Sequence, residues 1–365
     1  MKNLVLFSAS VAAVLAVGCN KLPVSAPSND YDESEICELK LCLNDGVSTK
    51  VTAASEANEA KIQNVQVFVF RAGADDKSSV LDACLAEGFG TELNKDKTHG
   101  LASLKCTVGK RHIFAIVNAD VDYTADGSIG TVADLLAKTM TLSAMRADKL
   151  LMIGSNRGVT LESGSQSQKV TVTRACASVI LESVKNEMQA AVYRKSGSFK
   201  IKNIYLTNVP AQINFGQTVK ASSLTDANAW YARMSAETDS AKKSLIYDAQ
   251  TATVLDYDNK NATVHTFYSF PNDCEASTAD TWSQRATKLV VEAEYNDGTA
   301  WHTCYYPITL YKSGAGLEAN KQYKVNLTIN RPGSDNPDKP VEFSTLSGTI
   351  TVADWAAETS YEETI

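Results

Sequence analysis

The sequence predicts a mostly β protein, arranged as two β-sandwich domains with one notable helix in the first. Three observations predict it. Short runs of alternating or β-branched apolar residues recur along most of the chain, bounded by Gly, Asn, Ser and Pro. Only Val132 to about Ala147 carries apolar residues at helical spacing: Val132, Leu135, Leu136 and Met140. The 365 residues are 44% hydrophobic and 21% charged, enough to bury one large core or two modest ones.

The N-terminus reads as an export signal. Lys2 supplies a positive start, and Leu4 to Val17 is almost wholly apolar but too short to span a bilayer. Gly18-Cys19 completes a lipobox: the Cys19 thiol is expected to be acylated, palmitate included, and residues 1–18 removed. The acyl chains would then be the membrane attachment. Lys21 to Glu35 reads as a tether.

Strand signals follow. Ile36 to Leu43 alternates, with Cys37, Leu39, Leu41 and Leu43 on one face and Glu38 and Lys40 on the other. Gly46 to Ala60 is small and polar and reads as an exposed loop. Ile62 to Phe70 is a second strand. Leu101–Val108 and His112–Asn118 are expected to form a hairpin around Gly109-Lys110-Arg111. Thr131 is placed to cap the helix. Strands are expected again at Val170–Leu181, Phe199–Leu206, Lys288–Tyr295, Thr303–Leu310 and Gln322–Ile329, with long surface loops between Gln217 and Ala262. Arg331 to Pro340 is a turn-rich linker, Val341 to Trp355 a last strand, and the end an acidic tail. The expected division is 19–50 as a propeptide, 51–180 and 181–340 as the two domains, and 341–365 as a C-terminal segment.

Chemistry is hard to find in this chain. The net charge of −7 argues against a nucleic-acid partner. His99, His112, His265 and His302 show no metal-ligand spacing, and no nucleophile elbow, phosphate-cradling glycine loop or dinucleotide fingerprint occurs. No enzyme activity, metal or cofactor is therefore expected. With Cys19 acylated, seven of the eight cysteines remain: Cys37, Cys42, Cys84, Cys106, Cys176, Cys274 and Cys304. An odd number excludes a complete disulfide framework, leaving one or two bridges or plain buried thiols as equal readings. Trp230, Tyr231, Trp301, Tyr305 and Tyr306 could stack on sugars, but packing is the stronger reading.

Four segments together resemble the fimbrillins, the type V pilin subunits of Bacteroidales: the lipobox at Cys19; Ile36–Phe70 ending in IQNVQVFVF; the pair HIFAIVNAD and VTVTRACASVIL; and YKVNLTINRPGSDNPDKPVEFSTLSGTITVADW. The resemblance covers nearly the whole chain and is weakest over 182–300. It implies two transthyretin-like β-sandwich domains and a lipidated precursor carried to the outer membrane. It also implies cleavage of the loop after the first strand by a trypsin-like protease, then donor-strand exchange with other subunits into a surface fimbrium that supports adhesion to a host or bacterial receptor. The leaving strand would be Ile36–Leu43, whose four buried side chains are worth on the order of 6–12 kcal/mol. The donor would present Leu346, Ile350 and Val352, with Gly348 between them and Gly333 to Pro340 as its hinge. The family cleaves at an arginine; here the aligned bond is Lys50–Val51, and Lys50 is the only basic residue between Lys40 and Lys61. The alternatives are a fimbrial anchor or minor subunit, or a surface lipoprotein that binds glycans without polymerising.

Overall fold

The computed structural model describes residues 35–44, 59, 61–89, 101–125, 127–311, 314–341, 345–355 and 357–361. Seven strands and one short helix come first: β1 Ile36–Asn44, β2 Val65–Arg71, β3 Leu81–Glu87, β4 Leu101–Thr107, β5 Gly109–Val117, α1 Val132–Ala137, β6 Met152–Leu161 and β7 Gly164–Arg174. The strands form one sheet in the order β3-β2-β5-β6-β7-β1-β4. The sheet curls on itself until its outer strands meet. Asp82 of β3 accepts the Thr107 backbone N–H of β4 at 2.8 Å, and it is held by Arg71 and Arg111 at 3.2 and 3.1 Å.

The alternation of β2 shows what the curl encloses. Val65, Val67 and Val69 point into an apolar cluster with Cys37, Leu39, Leu41, Leu43, Ile113, Val170 and Val172. Phe68 and Phe70 point the other way, into a larger cluster with Val179, Leu181 and Phe267. A strand buried on both faces needs β-branched and aromatic residues throughout, which is what VQVFVF supplies.

The remaining strands are β8 Ala177–Asn186, β9 Phe199–Thr207, β10 Tyr247–Val254, β11 His265–Ser269, β12 Lys288–Asn296, β13 Trp301–Thr309, β14 Lys321–Ile329, β15 Leu346–Asp354 and β16 Ala357–Tyr361. A four-stranded sheet runs β10-β9-β12-β13, and a second sheet runs β8-β14-β15-β16 with β11 on the far edge of β8. The protein is mostly β, as the sequence predicts.

Several local expectations are corrected. The hairpin does not form: β4 pairs with β1, whereas β5 pairs with β2 and β6. The chain between them bends at Val108 from one edge of the sheet to its middle. The helix ends at Ala137 rather than near Ala147. Its start is as expected, with Thr131 and Asp134 forming a reciprocal capping box. Thr139–Thr141 then pairs with Gln212–Asn214, burying Met140 and exposing both threonines. Met140 satisfies both periods, and the cross-chain partner decides for the strand. The run at 170–181 is two strands, split at the buried Ala175-Cys176, where the chain passes from the first sheet to the next. The weak stretch at 217–262 contains β10, an edge strand of half-buried residues.

Candidate functional site

The first strand is seated more deeply than any terminal segment needs to be. Cys37, Leu39, Leu41 and Leu43 are 0–1% exposed, while Glu38 and Lys40 face solvent. β1 lies inside the sheet, antiparallel to β4 from Ile36↔Thr107 to Cys42↔Leu101 and parallel to β7 from Cys37↔Gly164 to Asn44↔Thr171. It therefore completes two hydrogen-bond ladders and fills one side of the enclosed cluster. No local hairpin holds it there, because both partners come from later in the chain. Removing β1 would leave β4 and β7 each with an unpaired edge and an apolar slot between them.

The strand after the linker, β15, is seated differently. β15 pairs antiparallel with β14 from Leu346↔Ile329 to Asp354↔Lys321. On its other side β16 reaches only Val352 and Asp354, so between Leu346 and Thr351 that edge has no partner among the described residues. Leu346, Ile350 and Val352 share the face turned to the larger cluster, but only Leu346 counts as buried, at 9% exposure. Gly348 belongs to the same face. A Cβ there would lie 2.3 Å from the Asn326 carbonyl oxygen, so a glycine is required for β15 to approach β14 this closely.

The far end of β15 is fastened by Trp355, beneath which lies Glu59. The Trp355 Nε1–H donates to one carboxylate oxygen of Glu59 at 3.0 Å, and the Tyr268 hydroxyl donates to the other at 2.5 Å. The Arg174 guanidinium lies 4.6 Å over the indole, and the Tyr268 ring stacks beside it. Burial, with the Glu59 carboxylate second, holds the Tyr268 hydroxyl well above its usual range. Glu59, near the end of the loop expected to be exposed, is instead 3% exposed and clamps the end of β15.

The linker before β15 is fastened too, which corrects the expected hinge at Gly333–Pro340. Gly333 packs against the Tyr305 carbonyl, and Ser334 and Tyr305 exchange backbone hydrogen bonds at 2.8 Å. Asp338, 3% exposed, is gripped by Arg285, by Lys288 at 2.8 Å and by the Asn208 amide at 3.0 Å. Burial lowers the Lys288 ammonium pKa, and the Asp338 carboxylate works against that shift.

Cys19, Lys50, Val51 and His99 lie outside the described residues. Trp230, Tyr231 and Tyr306 are packed inside and Tyr305 is half-buried, whereas Trp301 is 41% exposed with Lys200 over its ring. Tyr305 and Tyr306 lie within β13, inside the strand expected at Thr303–Leu310. His265 and His302 each bond one aspartate, and His112 accepts the Gly158 N–H. Among the described residues no group of three metal-donor side chains comes together. Sequence reading missed Glu59, Tyr268 and Arg174, and also Arg285, Lys288 and Asp338. Each is an isolated charge or phenol in the chain, and only the fold brings them together.

Residues 37–183 match the model of the family described as major fimbrial subunit protein (FimA). The chain is fimbrillin-like. Porphyromonas gingivalis major fimbrium subunit FimA type-2 is 22% identical over 413 aligned residues, covering 97% of this chain and 98% of the relative. FimA type-4 of the same species is 21% identical over 400, with the same coverage. A crystal structure of a P. gingivalis fimbrilin superposes with a TM-score of 0.60 at 17% identity, over 89% of this chain and 99% of that one. A Bacteroides eggerthii chain, provisionally described as a cell adhesion protein, superposes with a TM-score of 0.64 at 21% identity, over 90% and 98%. The fimbrillin-like fold therefore spans nearly the whole chain. The curated relatives are structural fimbrial subunits rather than enzymes.

Proposed function

We propose that this chain is a structural subunit of a surface fimbrium. It is exported as a lipoprotein acylated at Cys19, carried to the outer membrane, cut at Lys50–Val51, and polymerised by strand exchange to support adhesion. The observation that carries this reading is the contrast between the two terminal strands. β1 buries one whole face between two ladders, and β15 is a half-buried strand whose outer edge is open from Leu346 to Thr351 among the described residues. Moving β15 from its own edge into the slot that β1 vacates in another subunit converts shallow burial into deep burial. It also adds a second ladder, so exchange runs downhill. While β1 stays in place, the slot is plugged and the exchange cannot start.

The expected processing residue fits a trypsin-like protease that accepts lysine. An enzyme strictly specific for arginine should leave this chain uncut. The five descriptive domains follow from the same reading: signal peptide 1–18, propeptide 19–50, two β domains at 51–180 and 181–340, and a donor segment at 341–365. The working partners are other subunits of the fimbrium, the protease, and a receptor on a host or bacterial surface.

N-terminal sequencing of filaments sheared from cells tests the proposal. The expected first residue is Val51. Assembled material beginning at Cys19 would overturn the stalk reading in favour of an anchor subunit retained by its lipid.

A further inference from the structure

We propose that Cys37 and Cys106 form a disulfide that fastens the first strand to β4, making its departure depend on thiol redox state as well as on cleavage. The site is defined by register. Cys37 and Cys106 are direct partners across the antiparallel β1–β4 ladder. Residues directly opposite in such a ladder have Cα atoms about 4.5–5.5 Å apart, within the roughly 4.4–6.8 Å range that a disulfide spans. Both side chains turn to the same apolar cluster, at 0% and 4% exposure. The Cys106 Sγ lies 3.9 Å from the Cys37 carbonyl oxygen, and the two thiols are hydrogen-bond neighbours. No other pair among the described cysteines shares a ladder position: Cys84 faces Phe68, Cys304 faces Ala293, and Cys42 lies opposite Leu101 and Lys169.

The chemistry is two-step thiol exchange with a disulfide oxidant. One thiolate attacks the oxidant's disulfide, forms a mixed disulfide and expels one thiol. The second thiolate then attacks the protein sulfur of that mixed disulfide and expels the other. Two protein thiols become one S–S bond, and the oxidant's disulfide becomes two thiols. An exported chain meets such oxidants.

Timing follows from burial. In the folded chain, desolvation raises the Cys37 thiol and pushes Cys106 up to about 12, so the seated pair holds little thiolate. The bond is therefore made while β1 is docking, and it persists once the cluster closes. Its consequence rests on the proposed strand departure. Lys50 lies between Cys37 and Cys106 in sequence. Cutting there breaks the backbone but leaves β1 tied to β4 through sulfur.

The test uses the full chain refolded with oxidised glutathione, alkylated after denaturation without reduction, and digested for mass spectrometry. The expected product joins the Cys37 and Cys106 peptides. It is absent from Cys106→Ala, in which Cys37 becomes alkylated. Complete alkylation of both residues in the unsubstituted chain overturns the disulfide. A second arm nicks the oxidised chain with trypsin and separates the fragments by gel filtration with and without dithiothreitol. The β1 fragment is expected to elute with the body of the protein until dithiothreitol releases it. A cross-link that forms while the fragment stays bound even after reduction refutes the strand-departure reading and leaves the disulfide standing. A fragment that departs without any reductant refutes the lock and leaves strand departure standing.

Discussion

Leu39 and Gly348 show how differently single residues serve the two terminal strands. Leu39 is fully enclosed, and truncating such a leucine costs about 2–5 kcal/mol through lost transfer energy and the cavity left behind. Leu39→Ala should therefore lower the precursor's unfolding midpoint in urea. Filament resistance to heat in detergent should not change, because residue 39 lies within the segment proposed to be removed. Gly348 works in reverse. Gly348→Ala sets a methyl group against the Asn326 carbonyl, an overpacking error of about 1–3 kcal/mol. Amide exchange along Leu346–Asp354 should accelerate while β1 stays protected. Asp338 balances two buried cations. Asp338→Ala should cost about 3–5 kcal/mol in chemical denaturation, since it breaks a buried ion-pair network and leaves Arg285 and Lys288 without their carboxylate partner.

Among the elements, those held by their own alternation were readable and those held by distant partners were not. β1 is legible because Cys37, Leu39, Leu41 and Leu43 repeat every second residue. Its neighbour β4 is legible as a strand, but its partner is not. The turn-like Gly109-Lys110-Arg111 pointed to β5, while the ladder went to β1, more than sixty residues earlier. α1 has a readable start, because capping is local chemistry. Its end is set by Gln212–Asn214, which no local signal announces. The clamp on β15 was invisible for the same reason: Glu59 is one acid in a polar run, and Trp355 is one aromatic near a terminus. The expected result for Trp355→Ala is faster amide exchange from Thr351 to Asp354 and earlier polymerisation after trypsin treatment, as the indole, its bond to Glu59 and its stacking on Tyr268 are lost together.

For the whole molecule, the outer strands β3 and β4 are tied by Asp82 and Thr107, so the curled sheet is held at its margin independently of the interior strand proposed to exchange. A chain truncated after Pro340 retains the Asp338 anchor and both terminal partners of the first sheet. It should remain a folded monomer by circular dichroism yet form no ladder of multimers after cleavage at Lys50–Val51. A truncated chain that still polymerised would remove β15 from the assembly mechanism.

The slot around β1 is also directional. One wall runs with the strand and the other against it, and parallel and antiparallel ladders space their hydrogen bonds differently. A strand entering with the direction of β1 would reproduce both ladders, so under the proposed exchange additions share one sense. Head-to-tail contacts of this kind build an open filament wherever the rotation between subunits does not close a ring. Under the proposed exchange, such a fibre would have two chemically unlike ends, one offering an empty slot and the other an unspent strand. Growth and capping are then separate problems, each needing its own terminal component.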